Sequence, residues 1–103
     1  MVLKFVLLNF TLMNKMSIVF SKIKQILHES YSIQLDQIQL ETNFELELGT
    51  DSREFFELLS DFENAFGIEI NLDDVDEIVT IQDTVTYIEK RLSLSEQSED
   101  HLF

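Results

Sequence analysis

The 103-residue chain has no cysteine, no proline and no tryptophan, only two glycines and two histidines, and seven Lys+Arg against 20 Asp+Glu. Each shortage removes a class of protein. Without cysteine there is no disulfide framework, thiolate metal site or thiol nucleophile. Two isolated histidines leave little for acid–base or metal chemistry. The lack of proline and scarcity of glycine leave helices without their commonest interruptions, and count against a β-sandwich with its many turns. A formal charge of −13 argues against nucleic acid as a direct partner, because phosphate backbones are bound by Lys and Arg, and predicts steering toward basic protein surfaces. Yet 45% of residues are hydrophobic, nine of them Phe, so this is no disordered acidic tail, and the length fits one small domain.

Residues 1–16 differ from the rest, being apolar with two Lys and no acid. They are too short to span a membrane. Asn9 interrupts the apolar run Phe5–Leu8, no small-residue cleavage site follows, and arginine is absent, which counts against a secretory signal and a transit peptide. The reading is an N-terminal extension, either loosely attached or produced by a start called too early, with Met13 and Met16 as alternative starts; an added structural element and a targeting segment are the other readings. The expected organisation is this extension, a domain over 17–92, and a polar disordered tail over 93–103.

Apolar residues recur at helical spacing from Ser17 to Tyr31, with His28 on the surface near the end. Residues 32–48 read as a long ordered loop whose apolar side chains, continuing through Phe44, Leu46 and Leu48, face the core. Thr42 and Glu45 have the spacing of a capping box, so a short helical turn is expected there. A second helix is expected from about Ser52 to Phe66. Asp51 is its N-cap with Glu54 three residues on, and Gly67 stands where a C-terminal glycine belongs. Phe55, Leu58, Leu59, Phe62 and Phe66 fall within an arc of roughly 100°, while Phe56 falls outside it. Residues 73–78 suit only a short helix. Thr80 and Asp83 have capping spacing before a last helix carrying Ile81, Val85, Ile88 and Leu92, with Lys90 and Arg91 in its final turn. The expected core is Ile23, Leu27, Phe44, Leu48, Leu58, Phe62, Phe66, Ile70, Ile78, Val85 and Ile88.

The acidic run Asp73, Asp74, Asp76, Glu77 lacks the glycine and twelfth-position Glu of a calcium loop, so no metal site is expected. No histidine is placed in sequence to activate Ser52 as a nucleophile. Ser52 instead opens a helix directly after its cap, where free backbone N–H groups and the positive end of the helix dipole would stabilise an attached phosphate.

The segment Glu47-Leu-Gly-Thr-Asp-Ser-Arg-Glu-Phe-Phe-Glu-Leu resembles the modification motif of acyl carrier proteins, a Leu-Gly-x-Asp-Ser-Leu sequence. The resemblance continues through Phe66-Gly-Ile-Glu-Ile70, Ile78-Val-Thr-Ile-Gln and Tyr87-Ile88. With the first helix it covers about Ser17 to Leu92. It implies an all-α, four-helix carrier fold of three main helices and one short one, with no activity of its own. It implies a 4'-phosphopantetheine arm on Ser52, with Asp51 capping the helix beside it, placed there by a separate phosphopantetheinyl transferase using coenzyme A and magnesium. The arm's thiol would hold acyl groups as thioesters, which explains a carrier without cysteine. The implied partners are that transferase and acyl-transferring or acyl-modifying enzymes of fatty-acid, polyketide or related metabolism. No nucleic acid or membrane partner is implied, and the carrier is expected to be a cytoplasmic monomer. A fatty cargo would shelter between the helices.

Two positions depart from the family pattern. Arg53 stands where the family usually has Leu, and Ser60, on the same helix face, where an apolar residue is common. That face, with Arg53, Glu54, Phe56, Glu57 and Ser60, is the one the resemblance assigns to partner enzymes. A carrier with a restricted partner set accounts for the departures; surface drift and loss of modification are the alternatives. Two other functions are compatible with the residues: an aminoacyl or peptidyl carrier, and an unmodified acidic adaptor binding a basic protein surface through the second helix.

Overall fold

The computed structural model describes the backbone of residues 18–100 and the side chains of residues 18–93. The expectations for residues 1–16 and 101–103 lie outside the described residues. Three α-helices carry the fold: α1 (residues 18–31), α2 (Ser52–Phe66) and α3 (Ile81–Asp100). The α1–α2 connection contains a 3-10 turn at Leu35–Gln37, and the α2–α3 connection contains a 3-10 segment at Leu72–Glu77, the expected short helix. Among the described residues there is no strand, only an isolated antiparallel bridge between Asn43 and Thr80.

The helices bury one stripe each. Val19, Ile23 and Leu27 of α1, Leu58, Leu59 and Phe62 of α2, and Ile81, Val85 and Ile88 of α3 meet Ile38, Phe44, Ile70 and Ile78 from the connections. Nine of the eleven expected core residues are buried; Leu48 and Phe66 are half-buried and pack against the cluster. Two loop expectations fail. Leu35 is 50% exposed and Leu46 is 81% exposed, so the loop's apolar residues do not all face inward. Alternation assigns faces in a strand, but here the chain is turning, and each turn sets its own outward direction.

Helix ends are set as their residues demand. Asp51 Oδ1 accepts from Glu54 N–H at 2.8 Å, so the expected N-cap of α2 is formed. At its other end Gly67 takes a left-handed φ of 64°, and both Gly67 N–H and Ile68 N–H donate to Glu63 O. In α3, Thr80 Oγ1 accepts from Asp83 N–H while Asp83 Oδ2 accepts from Thr80 and Val79 N–H, the reciprocal box expected there. Ile81 and Gln82 N–H, the next orphan donors of α3, are satisfied by the carbonyls of Thr42 and Leu40. The α1–α2 loop is thus bonded to the start of α3. Tyr31 donates to Asp61 Oδ2 at 2.7 Å, tying α1 to α2; burial, then this bond and the Asp61 charge, push the phenol well above its ordinary range.

Two further expectations are corrected. The box at Thr42 and Glu45 is not formed: Thr42 Oγ1 accepts from Gln39 N–H and donates to Gln37 O, and Asn43 caps the following turn instead. The last helix does not stop near Leu92. It continues to Asp100, so Lys90 and Arg91 lie inside the helix rather than in its final turn. Serine, glutamate and glutamine carry no stop signal, and no glycine or proline interrupts them.

Asp83 has a measurable consequence. Burial alone would raise its pKa, but the hydrogen bonds from Thr80 and Val79 outweigh it and hold the carboxyl below its ordinary value. A depressed folded-state pKa contributes stability that is present above the unfolded value of about 3.9 and is lost as pH falls through the folded value. Asp83→Asn, which keeps an acceptor but removes the charge, is expected to lower stability to urea by about 0.5–1 kcal/mol at pH 7. The difference should shrink as pH drops below about 4. A pH-independent difference would show that the carboxylate charge is not what stabilises this helix start.

Candidate functional site

The loop into α2 is built by short-range bonds. Asn43 Oδ1 accepts from Glu45 and Leu46 N–H, Glu47 Oε2 accepts from Asn43 N–H at 2.7 Å, and Asn43 O accepts from Glu47 and Leu48 N–H. Gly49 then turns the chain with a φ of 68°. A Cβ there would meet nothing within 4 Å, so the glycine is required by backbone conformation and not by crowding. Thr50 bonds back to Phe44 O through both its N–H and its hydroxyl. These bonds deliver Asp51 in an extended conformation to the cap position and place Ser52 as the first residue of α2.

Ser52 is exposed and lines the edge of an open cleft of about 700 Å³ between the 43–51 loop, the start of α2 and the 75–79 stretch. Phe44, Phe55, Val75 and Ile78 form its apolar walls, with the Phe44 and Phe55 rings 5.5 Å apart and tilted. The donors at this helix start are open. Asp51 takes Glu54 N–H, but among the described residues no loop carbonyl accepts from Ser52 or Arg53 N–H, unlike the start of α3. An anionic group on Ser52 Oγ would therefore meet unoccupied N–H groups and the positive dipole end. The exposed hydroxyl, the open donors and the adjacent apolar cleft fit a phosphate-linked arm bearing an apolar cargo.

The other expected residues share one exposed face. Arg53, Glu54, Phe56, Glu57 and Ser60 are all exposed on α2, and Phe56 contacts Phe55 edge-on at 6.3 Å. Arg53 Nε lies 3.4 Å from Glu57 Oε1, with the arginine side chain 88% exposed. Arg53 thus reaches along the helix to its own neighbour. This pair has its base N-terminal to its acid and sits at the positive end of the dipole, the less favourable orientation on both counts. His28 lies at the end of α1, its Nδ1 2.9 Å from Ile33 O, and is not among the residues of the Ser52 cleft. Among the described residues no group of three or more His, Cys, Asp or Glu is arranged to hold a metal ion, and no helix is long and apolar enough to cross a membrane.

The sequence reading missed three residues of this region. Asn43 anchors the turn; its signal was an asparagine followed by a glutamate at a turn, which the competing Thr42 spacing obscured. Leu46, which sequence alternation placed toward the core, and Val79 are 81% and 46% exposed and line the cleft.

The phosphopantetheine attachment-site family matches residues 21–88. The acyl carrier protein of Thermotoga maritima is 38% identical over 74 residues, spanning 72% of this chain and 91% of that protein. That of Lactobacillus johnsonii is 40% identical over 70 residues, spanning 68% and 88%. Among solved structures, the acyl carrier protein of Enterococcus faecalis superposes with a TM-score of 0.64 at 29% identity, covering 74% of this chain and 96% of that one. The chain belongs to the acyl carrier protein family, the phosphopantetheine-bearing carriers that are not themselves enzymes.

Proposed function

We propose that Ser52 is the attachment point of the phosphopantetheine arm and that the chain delivers acyl groups to partner enzymes of fatty-acid, polyketide or related acyl metabolism. The observation that carries the assignment is the exposed Ser52 hydroxyl at the first position of α2, beside open N–H donors and an apolar cleft. When attached, the arm supplies the thiol that the cysteine-free chain lacks, on which acyl groups are held as thioesters. Asp51 keeps the helix start formed without enclosing the serine. The carrier domain spans 17–92, and the protein works as a cytoplasmic monomer among the enzymes it serves. Intact mass measured after incubation with coenzyme A, magnesium and a phosphopantetheinyl transferase should rise by one phosphopantetheine. If several transferases, one from the native host included, leave the mass unchanged, the carrier assignment fails and an unmodified adaptor becomes the reading.

The partner-facing surface is α2, with Glu54 and Glu57 offering charge, Phe56 an apolar contact, and Arg53 and Ser60 restricting the partner set. From Glu41 to Glu89 the chain has 15 acids and Arg53 as its single base. That base both repels a basic docking patch and occupies Glu57. Arg53→Leu removes the positive charge and releases Glu57 together, so modification by a general transferase should speed up severalfold, with little change in melting temperature. The effect is bounded by the small worth of an exposed pair, about 0.2–1 kcal/mol. Unchanged rates across a panel of acyl-transferring enzymes would make Arg53 ordinary surface variation.

A further inference from the structure

Six large apolar side chains among the described residues are exposed, and three of them, Leu46, Phe56 and Val79, line one cleft, the one that Ser52 edges. They come from three elements: the 44–48 turn, α2 and the stretch before α3. Exposed leucines standing singly need no explanation, but three gathered on the rim of one cleft form a patch. Leu46 is the most exposed of the six, and its turn is among the most heavily bonded parts of the loop. Asn43 Oδ1 holds Leu46 N–H itself, at 2.9 Å, and the N–H groups of Glu45, Glu47, Leu48 and Thr50 are all bonded within the loop. An apolar side chain held outward on an ordered turn loses little freedom when it is covered. The charged groups of the cleft are Glu45, Asp51 and Asp76, with no Lys or Arg among them.

We infer that Leu46 and Val79, together with Phe56 of α2, form the apolar centre of this carrier's enzyme-docking surface, which extends from the exposed face of α2 over the Ser52 cleft. The partner it fits is an enzyme face with an apolar projection flanked by Lys or Arg side chains, which meet Glu45, Asp51 and Asp76. The arrangement accounts for the polar residues Arg53 and Ser60: the apolar contact of docking is supplied from the loop and from the stretch before α3, leaving α2 to supply Phe56 and charge. Burying such a centre beside Ser52 covers the reacting hydroxyl and the contact together, where anchoring residues have most effect.

This inference rests on the carrier reading above, and its test separates the two. The full chain is incubated with a phosphopantetheinyl transferase and coenzyme A, and kcat/KM for the mass gain is compared between wild type, the double variant Leu46→Ser/Val79→Ser, and Leu72→Ser. Leu72 is 78% exposed but not part of the cleft, so it reports the general effect of removing a surface leucine. The double variant should lose about tenfold in kcat/KM at an unchanged melting temperature, with Leu72→Ser at the wild-type rate. Equal rates for the double variant and wild type overturn the inference, and so does an equal loss in Leu72→Ser. Should the double variant melt lower, Leu46→Glu alone, on a side chain the core does not use, must still lose at least threefold, or the inference falls. A wild type that gains no mass removes the carrier reading itself, which is a different result from a modified wild type whose variants match it.

Discussion

Ser52→Ala is expected to abolish the phosphopantetheine mass gain completely while leaving the fold intact. The loss is total because a phosphoester needs an oxygen nucleophile at this position and alanine offers none. Thr50, the nearest hydroxyl in the chain before it, is bonded to Phe44 O, and Ser60 lies two turns further along α2. The fold survives because the Ser52 side chain is exposed and no hydrogen bond of the loop passes through it; the cap belongs to Asp51. Melting temperature should therefore stay within a few degrees, since surface changes away from caps and core usually fall within about 0.5 kcal/mol. Residual modification of the alanine variant would move the attachment point elsewhere. Loss of modification with a collapsed melt would mean that Ser52 acts through structure.

The second large effect is on stability. Phe62 has no exposed surface and is the largest fully buried side chain, in the core cluster that all three helices and the connections build. Phe62→Ala removes its transfer free energy and leaves a cavity that the helices can only partly close, a loss of about 3–5 kcal/mol. Small domains have roughly 5–15 kcal/mol in total, so the variant should retain little margin. The melting temperature should fall by roughly 15 °C or more, on the scale of 4–8 °C per kcal/mol for a domain of this size. A loss under about 1 kcal/mol in urea titration would place the centre of the core elsewhere. Phe56→Ala is the companion measurement: one residue type, one helix, but 46% exposed, and it should melt close to wild type.

The two phenylalanines show how far local pattern reaches. Helical periodicity put Phe62 inside and Phe56 outside, because 3.6 residues per turn ties sequence spacing to helix face wherever the helix packs. The same locality made Asp51, Gly67 and the Thr80–Asp83 box legible, since a cap is an interaction over three or four residues. The Leu-Gly-Thr-Asp-Ser motif was legible for a similar reason: it encodes a turn, a cap and a helix start in consecutive residues.

The loop was less legible, and Leu46 is the clearest case. Phe44, Leu46 and Leu48 alternate in sequence, yet Phe44 is buried, Leu48 half-buried and Leu46 exposed. Their directions were decided by Asn43 capping the turn and by Phe44 N–H bonding to Val79 O across the fold. The continuation of α3 past Leu92 was equally unreadable, because polar residues without glycine or proline are compatible with helix and with coil alike.

The chain alone determined three amphipathic helices, both caps of α2 and the N-terminal box of α3, the acidic charge and a serine opening α2, because each depends on residues close together in sequence. Tertiary structure alone decided that α3's first donors are closed by Thr42 and Leu40 carbonyls while α2's stay open, and that Leu46, Phe56 and Val79 meet around one cleft. Those features join residues about 10 to 40 positions apart, and only packing sets which of them meet.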